Sequence, residues 1–193
     1  MVIPMSTALV VSGSEKGLSS VADLLKTMSF TGISVSKSGS EARRMLLEND
    51  YSLIIINTPL SDEFGHDLAL TAVQDTLAGA ILMVKSEIAD EVAARVESAG
   101  VLVVPKPAGH HVFYQAIKLV TASQRRIAGL KNENMKLQNK IEEMRLVDRA
   151  KCVLIQYLKM TEPQAHRYIE KQAMDMRVTK REIALSILKT YET

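Results

Sequence analysis

The clearest strand pattern in the sequence is Leu53-Ile54-Ile55-Ile56-Asn57. Its four consecutive apolar residues, three of them β-branched, predict a strand whose two faces are both buried, as in the middle of a parallel sheet. Four further short apolar runs lie on either side of it, at residues 7–11, 32–35, 80–84 and 101–104. Helical apolar patterns alternate with these runs, so the sequence predicts an α/β fold with a doubly wound, five-stranded parallel sheet.

In such sheets the working crevice lies at the carboxyl ends of the strands. The segments at these ends are Ser12-Gly13-Ser14, Asn57-Thr58, Lys85-Ser86 and Lys106-Pro107. The sequence contains no nucleophile with a positioned base, no glycine-rich phosphate loop and no metal-ligand cluster. We therefore predict a protein that is not an enzyme, with no catalytic residue, no metal and no cofactor.

Composition and charge limit the class further. The chain has 193 residues, 47% of them hydrophobic and 24% charged, with a single Cys. This is ordinary for a globular protein, and one Cys rules out an internal disulfide framework. The N-terminus lacks a signal-peptide pattern and no run approaches the roughly 18 apolar residues of a membrane span. We therefore expect a cytoplasmic protein.

The net charge of +2 is unevenly distributed. Residues 1–120 carry 9 Lys or Arg against 13 Asp or Glu, a net charge of −4. Residues 121–193 carry 15 against 9, a net charge of +6. A basic C-terminal part beside an acidic N-terminal part favours contact with a polyanion at the C-terminal end.

A coiled-coil pattern follows the α/β part. Its seam, with steps of three and four residues, consists of Ile127, Leu130, Asn134, Leu137, Ile141 and Met144. An Asn at one such position favours a parallel two-stranded coiled coil, because its amide pairs with its twin in the partner. The seam therefore predicts a homodimer. The alternative is an amphipathic helix that packs on its own α/β domain.

Two helix starts follow with capping-box sequences. They are Thr161-Glu162-Pro163-Gln164 and Thr179-Lys180-Arg181-Glu182. Apolar faces predict a small three-helix bundle whose first helix continues the coiled coil. The apolar face of the second helix comprises Ala165, Tyr168, Ile169, Ala173 and Met176. We expect Tyr168 in the core, because it shares its spacing with Ile169 and Ala173.

The strand spacing and the Lys106-Pro107 pair over roughly residues 5–120 resemble the receiver domain of response regulators. The resemblance implies an acidic pair after the first strand, an Asp acceptor after the third, a hydroxyl after the fourth and a Lys after the fifth. Only the Lys is matched. The other positions hold Ser12 and Gly13, Asn57, and Lys85, with Ser86 as the next candidate for the hydroxyl. We predict a degenerate receiver pocket that is not phosphorylated.

Lys106 has two interpretations in this pocket. Together with Lys85 it would form a cationic pocket for an anionic ligand or a partner's carboxylate. In the other interpretation it donates a hydrogen bond to the neighbouring Asn57 side chain or to a strand-end carbonyl, and no ligand is involved. Separately from the role of Lys106, we expect the receiver-like domain to have a protein or small-ligand partner and to sense something other than phosphate.

Residues 145–190 are similar to the ANTAR domain, an RNA-binding antiterminator module. The similarity is carried by Ala150-Lys151, Met160-Thr161-Glu162-Pro163-Gln164-Ala165, Lys171-Gln172-Ala173-Met174-Asp175 and Arg181-Glu182-Ile183-Ala184. The sequence departs from the family at Cys152, where Gly is usual, and at Glu170, where a basic residue is common. The resemblance implies a regulator that binds hairpin loops in nascent RNA and prevents a terminator from forming.

Loops whose bases are splayed out are the usual targets of sequence-specific RNA binding. A loop-binding surface needs cations for the phosphates and flat or polar groups for the bases. The candidate RNA-binding residues are Arg149, Lys151, Arg167, Lys171, Arg177, Lys180 and Arg181. Arg149, Lys151 and Lys171 are the strongest candidates.

The predicted organisation is a receiver-like domain over residues 1–120, a coiled-coil linker helix over 121–145 and an RNA-binding bundle over 146–193. Two other functions fit the same pattern. Three short helices with a basic third helix also form helix-turn-helix DNA-binding domains. A degenerate receiver that docks a partner would instead make the protein an interaction adaptor.

Overall fold

The computed structural model describes residues 7–28 and 30–191. The chain divides into two compact units, residues 1–128 and 129–193. The outer limits predicted for the first and last domains, residues 1 and 193, lie outside the described residues. In the part of the chain that is described, no helix is long and apolar enough to cross a membrane.

The first unit contains a parallel sheet in the order β2-β1-β3-β4-β5. Its strands are β1 (Thr7–Ser12), β2 (Gly32–Ser36), β3 (Leu53–Asn57), β4 (Gly79–Lys85) and β5 (Val101–Lys106). The helices of the chain are α1 (Glu15–Thr27), α2 (Gly39–Glu48), α3 (His66–Asp75), α4 (Ala89–Val96), α5 (His110–Leu158), α6 (Glu162–Met176) and α7 (Lys180–Tyr191). The predicted five-stranded, doubly wound fold is confirmed.

Strand β3 is buried on both faces, as its sequence predicts. Leu53 and Ile55 pack in one apolar cluster with α1 and the first part of α5. Ile54 and Ile56 pack in a second cluster with α2, α3 and α4. Successive side chains of a strand point to opposite faces, so one run of four apolar residues anchors both helical layers. This arrangement places the ends of β1, β3, β4 and β5 side by side.

Helix α5 is a single helix of 49 residues. The sequence predicts a receiver-like domain that ends at residue 120 and a coiled-coil linker helix over residues 121–145 that continues into the bundle. Both predicted boundaries, after residues 120 and 145, fall inside α5. The division into three domains therefore stays a prediction, although the expected continuity between the coiled-coil segment and the bundle is present.

The second unit has its own core, formed by the end of α5 together with α6 and α7. The buried members are Ala150, Val153, Leu154, Ala165, Ile169, Ala173, Ile183, Ala184, Ile187 and Leu188. The expectation that Tyr168 lies in this core is wrong, because its side chain is 38% exposed. Met176 is also exposed, since it lies in the last turn of α6 where the core ends.

The predicted caps of α6 and α7 are present. The Thr161 N–H donates to Gln164 Oε1 at 2.8 Å. At α7 the bonding is reciprocal, since the Glu182 N–H donates to Thr179 Oγ1 and the Thr179 N–H donates to the Glu182 carboxylate. The two bends that precede these caps each contain a cation in the left-handed backbone region, Lys159 with φ 55° and Arg177 with φ 53°.

Candidate strand-end crevice and nucleic-acid interface

Three side chains at the carboxyl ends of the strands form a continuous hydrogen-bonded chain. Lys106 Nζ donates to Asn57 Oδ1 at 2.7 Å. The Asn57 side-chain amide in turn donates to Ser12 Oγ at 3.0 Å. Ser12 is fully buried at the end of β1. The crevice of the receiver fold is thus occupied by the protein's own polar groups.

Lys106 makes a second bond to the main chain, to the Thr58 carbonyl oxygen. It therefore has the contacts of the second interpretation, a bond to Asn57 and a bond to a carbonyl near the strand end. Lys85 ends the neighbouring strand in register with Lys106. Burial, and to a smaller extent the Lys85 charge, lower the pKa of Lys106 below its ordinary value. Ser86 Oγ donates to the Lys106 carbonyl oxygen at 2.8 Å.

Helix α1 covers this chain of hydrogen bonds closely. A Cβ atom at Gly17 would lie 2.6 Å from Asn57 Nδ2 and 2.8 Å from Ser12 Oγ. Both distances are shorter than real Cβ contacts, so only glycine allows α1 to approach in this way. Gly13, in the loop before α1, is exposed. The position of the usual acidic pair therefore holds one buried hydroxyl and one glycine.

Two carboxylates that follow β1 and β3 in the chain, those of Glu15 and Asp62, are engaged with other groups. Glu15 pairs with Lys37 at 2.7 Å. Asp62 accepts hydrogen bonds from the backbone N–H groups of Gly39 and Ser40 in the first turn of α2, at 2.7 and 2.9 Å. These bonds lower the pKa of Asp62 to about 2. Among the described residues, no group of three or more His, Cys, Asp or Glu side chains is placed to hold a metal ion.

In the second unit, Lys151 lies in an ion-pair network and its side chain is only 16% exposed. Its Nζ contacts Asp148 Oδ1 at 2.7 Å and Glu162 Oε1 at 2.9 Å. These two hydrogen bonds raise the pKa of Lys151. Because Glu162 is the first residue of α6, Lys151 connects α5 to the start of α6. Its charge is partly neutralised within the bundle.

Lys180 is similarly paired. Its Nζ contacts Glu170 Oε1 at 2.5 Å, and His166 Nε2 lies 3.3 Å from the same oxygen. Lys180 is the main cause of a lowered pKa at Glu170. The carboxylate that departs from the basic residue usual in ANTAR domains therefore joins α6 to the first turn of α7.

The outer face of α6 presents cations and an apolar side chain together. Arg167 and Lys171 are exposed and four residues apart, so they lie on one face of the helix. Met174 continues this face three residues later and is 78% exposed. Met174 was not among the candidate RNA-binding residues, although its spacing from Arg167 and Lys171 is visible in the sequence. Together, the three side chains form what we call the α6 outer face.

The remaining candidates lie around the bends and the end of α5. Arg177 is the left-handed cap of α6, and its N–H donates to carbonyl oxygens of the last turn. Arg181 is exposed in the first turn of α7, and Arg149 is exposed on α5. Tyr157, near the end of α5, contacts the Tyr191 ring at a centroid distance of 5.4 Å.

The seam predicted for the coiled coil is only half-buried in the single chain. Its apolar side chains are between 46% and 58% exposed. These residues are Ile127, Leu130, Leu137, Ile141 and Met144. Asn134 is exposed on the same helix. An apolar stripe with this exposure leaves a large hydrophobic contribution available for association.

Comparisons with known proteins agree with the predicted receiver-like domain and with the predicted ANTAR domain. The ANTAR domain model matches residues 135–188. The signal receiver domain of an HD domain-containing protein from Pseudomonas fluorescens Pf-5 has a TM-score of 0.60 and 17% identity, over 67% of this chain and 96% of that one. A response regulator receiver domain protein from Clostridium thermocellum has a TM-score of 0.57 and 17% identity, over 63% of this chain and 98% of that one. The class is therefore a receiver fold followed by an ANTAR domain.

The chain is also similar to the transcriptional regulatory protein PdtaR of Mycobacterium tuberculosis strain H37Rv. The two are 26% identical over 173 residues, which are 90% of this chain and 84% of that protein. Together with the ANTAR domain, this similarity supports a regulator of the antitermination type. The ANTAR match and this similarity both indicate a regulatory protein.

The Lys106 site gives a pH-dependent prediction. Asn57→Asp places a carboxylate beside Lys106 Nζ, and Lys85→Gln removes the neighbouring like charge, so each variant should raise the pKa of Lys106. Folding lowers this pKa in the wild type. Between the folded pKa and the ordinary value of 10.5, the unfolded chain therefore binds more protons at this lysine than the folded chain does. The free energy of unfolding of the wild type should accordingly increase as the pH rises through this range.

NMR titration of the lysine side-chain signals measures the pKa of Lys106 directly. Lys16→Gln, which removes an exposed charge of α1, is the matched control and should leave that pKa unchanged. An ordinary lysine pKa for Lys106 in the wild type would contradict the buried environment described above.

Proposed function

We propose that this protein is a homodimeric antiterminator that binds hairpin loops in nascent RNA, and that its receiver-like domain acts without phosphorylation. The observation that carries the proposal is the α6 outer face, formed by Arg167, Lys171 and Met174 inside the residues matched by the ANTAR model. Binding to a nascent transcript places the protein in the cytoplasm.

The chemistry of this face suits unpaired nucleotides. Arg and Lys supply contacts to the phosphates, and the Arg guanidinium also stacks on bases. The exposed Met174 and Tyr168 side chains offer apolar and aromatic surface next to these cations. Bases in a duplex are stacked and paired, whereas bases in a loop are free to meet such surface.

The cations of the bundle have different roles in this proposal. Lys151 and Lys180 hold the helices together through Glu162 and Glu170, so they position the binding face more than they contact RNA. Lys171 and Arg167 have no ion-pair partner among the described residues and supply the main phosphate contacts. Arg177 and Arg181 add positive charge near the bend between α6 and α7, and Arg149 adds it on α5.

A DNA-binding helix-turn-helix is the second candidate, because α6 and α7 are short and α7 begins with basic residues. The ANTAR match favours RNA. A duplex of equal length separates the two functions experimentally.

The RNA proposal predicts that Arg167→Ala and Lys171→Ala each weaken binding to a two-hairpin RNA by about tenfold, the loss expected for one charge-assisted contact. Each variant should also reduce the dependence of log K on log salt, by about 0.7 for one phosphate contact to a single strand. Fluorescence anisotropy over a salt series measures both quantities.

Lys16→Ala removes the same charge from α1 and is the matched control, with no expected change. Tighter binding of the wild type to duplex DNA than to the two-hairpin RNA would overturn the proposal in favour of the second candidate.

Independence from phosphorylation rests on the crevice. A carboxamide at Asn57 forms no acyl phosphate, and Ser12 and Gly13 offer no carboxylate for a hard cation such as Mg²⁺. The Asn57 amide is also held by Ser12 and Lys106, and Gly17 closes the space above it.

Incubation with acetyl phosphate and Mg²⁺ should therefore leave the protein mass unchanged. Asn57→Asp should also remain unphosphorylated, because the metal-binding carboxylates are still missing. Intact-mass spectrometry would detect the increase of about 80 Da that a phosphoryl group adds. A phosphoryl group mapped to the loop after β3 of the wild type would contradict the proposal.

Dimerisation is proposed through the half-exposed seam of α5. Leu137→Lys puts a charge into the apolar stripe and should convert the dimer to a monomer. Met135→Lys is the matched control, because Met135 is similarly exposed but lies beside the seam.

Sedimentation equilibrium over a concentration series measures the mass of each variant. A wild type that is monomeric throughout would support the alternative, in which the helix packs on its own α/β domain. Asn134→Leu should retain association while losing the preference for two strands.

A further inference from the structure

The first unit has a cavity that is separate from the strand-end crevice and to which no function has been assigned above. Its volume is about 300 Å³, which is at the lower end of the range for small-molecule sites. The lining residues are Thr27, Met28, Phe30, Tyr114, Lys118, Thr121, Ala122 and Arg125. Because α1 runs back along the sheet after β1, the end of α1 places this cavity at the edge opposite the crevice.

One wall of the cavity is a regular stripe of α5. Tyr114, Lys118, Ala122 and Arg125 follow one another at steps of four, four and three residues, so they share one face of the helix. The opposite wall includes Met28 and Phe30. Met28 and Phe30 are half-buried there and pack against the apolar cluster below.

The charges of this cavity are all positive. Lys118 Nζ lies 5.6 Å from the centroid of the Tyr114 ring, within the range of a cation–π contact. Neither Lys118 nor Arg125 has a carboxylate partner in the described part of the chain, and none of the eight lining residues is acidic. The Thr27 and Thr121 hydroxyls donate to helix carbonyl oxygens.

We propose that this cavity, which we call the α1–α5 pocket, binds a small organic anion with a flat apolar body. Met28, Phe30 and the Tyr114 ring would contact the body, and Lys118 and Arg125 would contact the anionic group. The two cations stand seven residues apart, about 10.5 Å along the helix axis. Their long side chains let them approach an anion from two sides.

The pocket does not depend on the RNA proposal, since it lies within residues 27–125. We expect a receiver-like domain that phosphate does not regulate to respond to another partner, and a small ligand would bind in this pocket. The ligand would contact α5 itself, the helix that also contains the seam residues.

The test uses the full-length protein and phenyl phosphate as the probe. Isothermal titration calorimetry should give saturable binding with a Kd near or below about 1 mM, a modest affinity for one small site. Inorganic phosphate, which has the charge without the ring, and benzyl alcohol, which has the ring without the charge, should each bind at least tenfold more weakly.

Lys118→Gln and Arg125→Gln should each weaken phenyl phosphate by about tenfold, as expected for the loss of one charge-assisted contact. Arg126→Gln is the matched control, because it removes the next exposed cation of α5, which does not line the pocket. All three side chains are exposed, so the variants should fold.

Absence of saturable binding, or equal weakening in Arg126→Gln, would overturn the proposal. Equal affinity for inorganic phosphate would also overturn it, because the apolar wall would then contribute nothing. If Lys118→Gln and Arg125→Gln lowered RNA affinity while phenyl phosphate failed to bind, the two cations would belong to a nucleic-acid surface instead.

Discussion

The two-sided burial of β3 is the constraint on which the α/β unit depends. Four consecutive apolar side chains need one layer of helices on each face of the sheet, because each face would otherwise expose β-branched surface to water. Helix α5 contributes to one of these layers, so the first turns of the longest helix are fixed by the strand at the centre. The same constraint brings the ends of β1, β3, β4 and β5 to one edge, and the chemistry of that edge then depends only on which residues stand there.

At that edge the protein has the strand arrangement of the receiver fold, with Ser12, Gly13 and Asn57 at the ends of β1 and β3. Lys106 is held by Asn57 and a carbonyl, Asn57 is held by Ser12, and Gly17 allows α1 to close over them. A buried polar group needs a partner, and here each polar group satisfies another. The network thus explains how a lysine stays in a site without a carboxylate to pair with.

The sequence was sufficient for features that depend on local pattern. The apolar run of β3 predicted the sheet, and the Thr161 and Thr179 boxes predicted two helix starts. One of the two interpretations of Lys106 predicted its bond to Asn57 or to a strand-end carbonyl. Features that depend on distant residues were not predictable. The partner of Lys180 is ten residues away on another helix, and the α1–α5 pocket combines residues near 28 with residues near 118. Asp148, by contrast, lies three residues before Lys151 on the same helix. One of the two ion pairs of Lys151 could therefore be predicted from the spacing.

The two bends of the C-terminal unit show how the protein balances charge against backbone conformation. Lys159 and Arg177 both adopt a left-handed backbone, which glycine accepts without cost and side chains with a Cβ accept only at roughly 1 kcal/mol. At each bend the chain has a cation where glycine would be more stable. Replacing either residue by glycine would therefore increase the free energy of unfolding of this unit and would remove one positive charge from its surface.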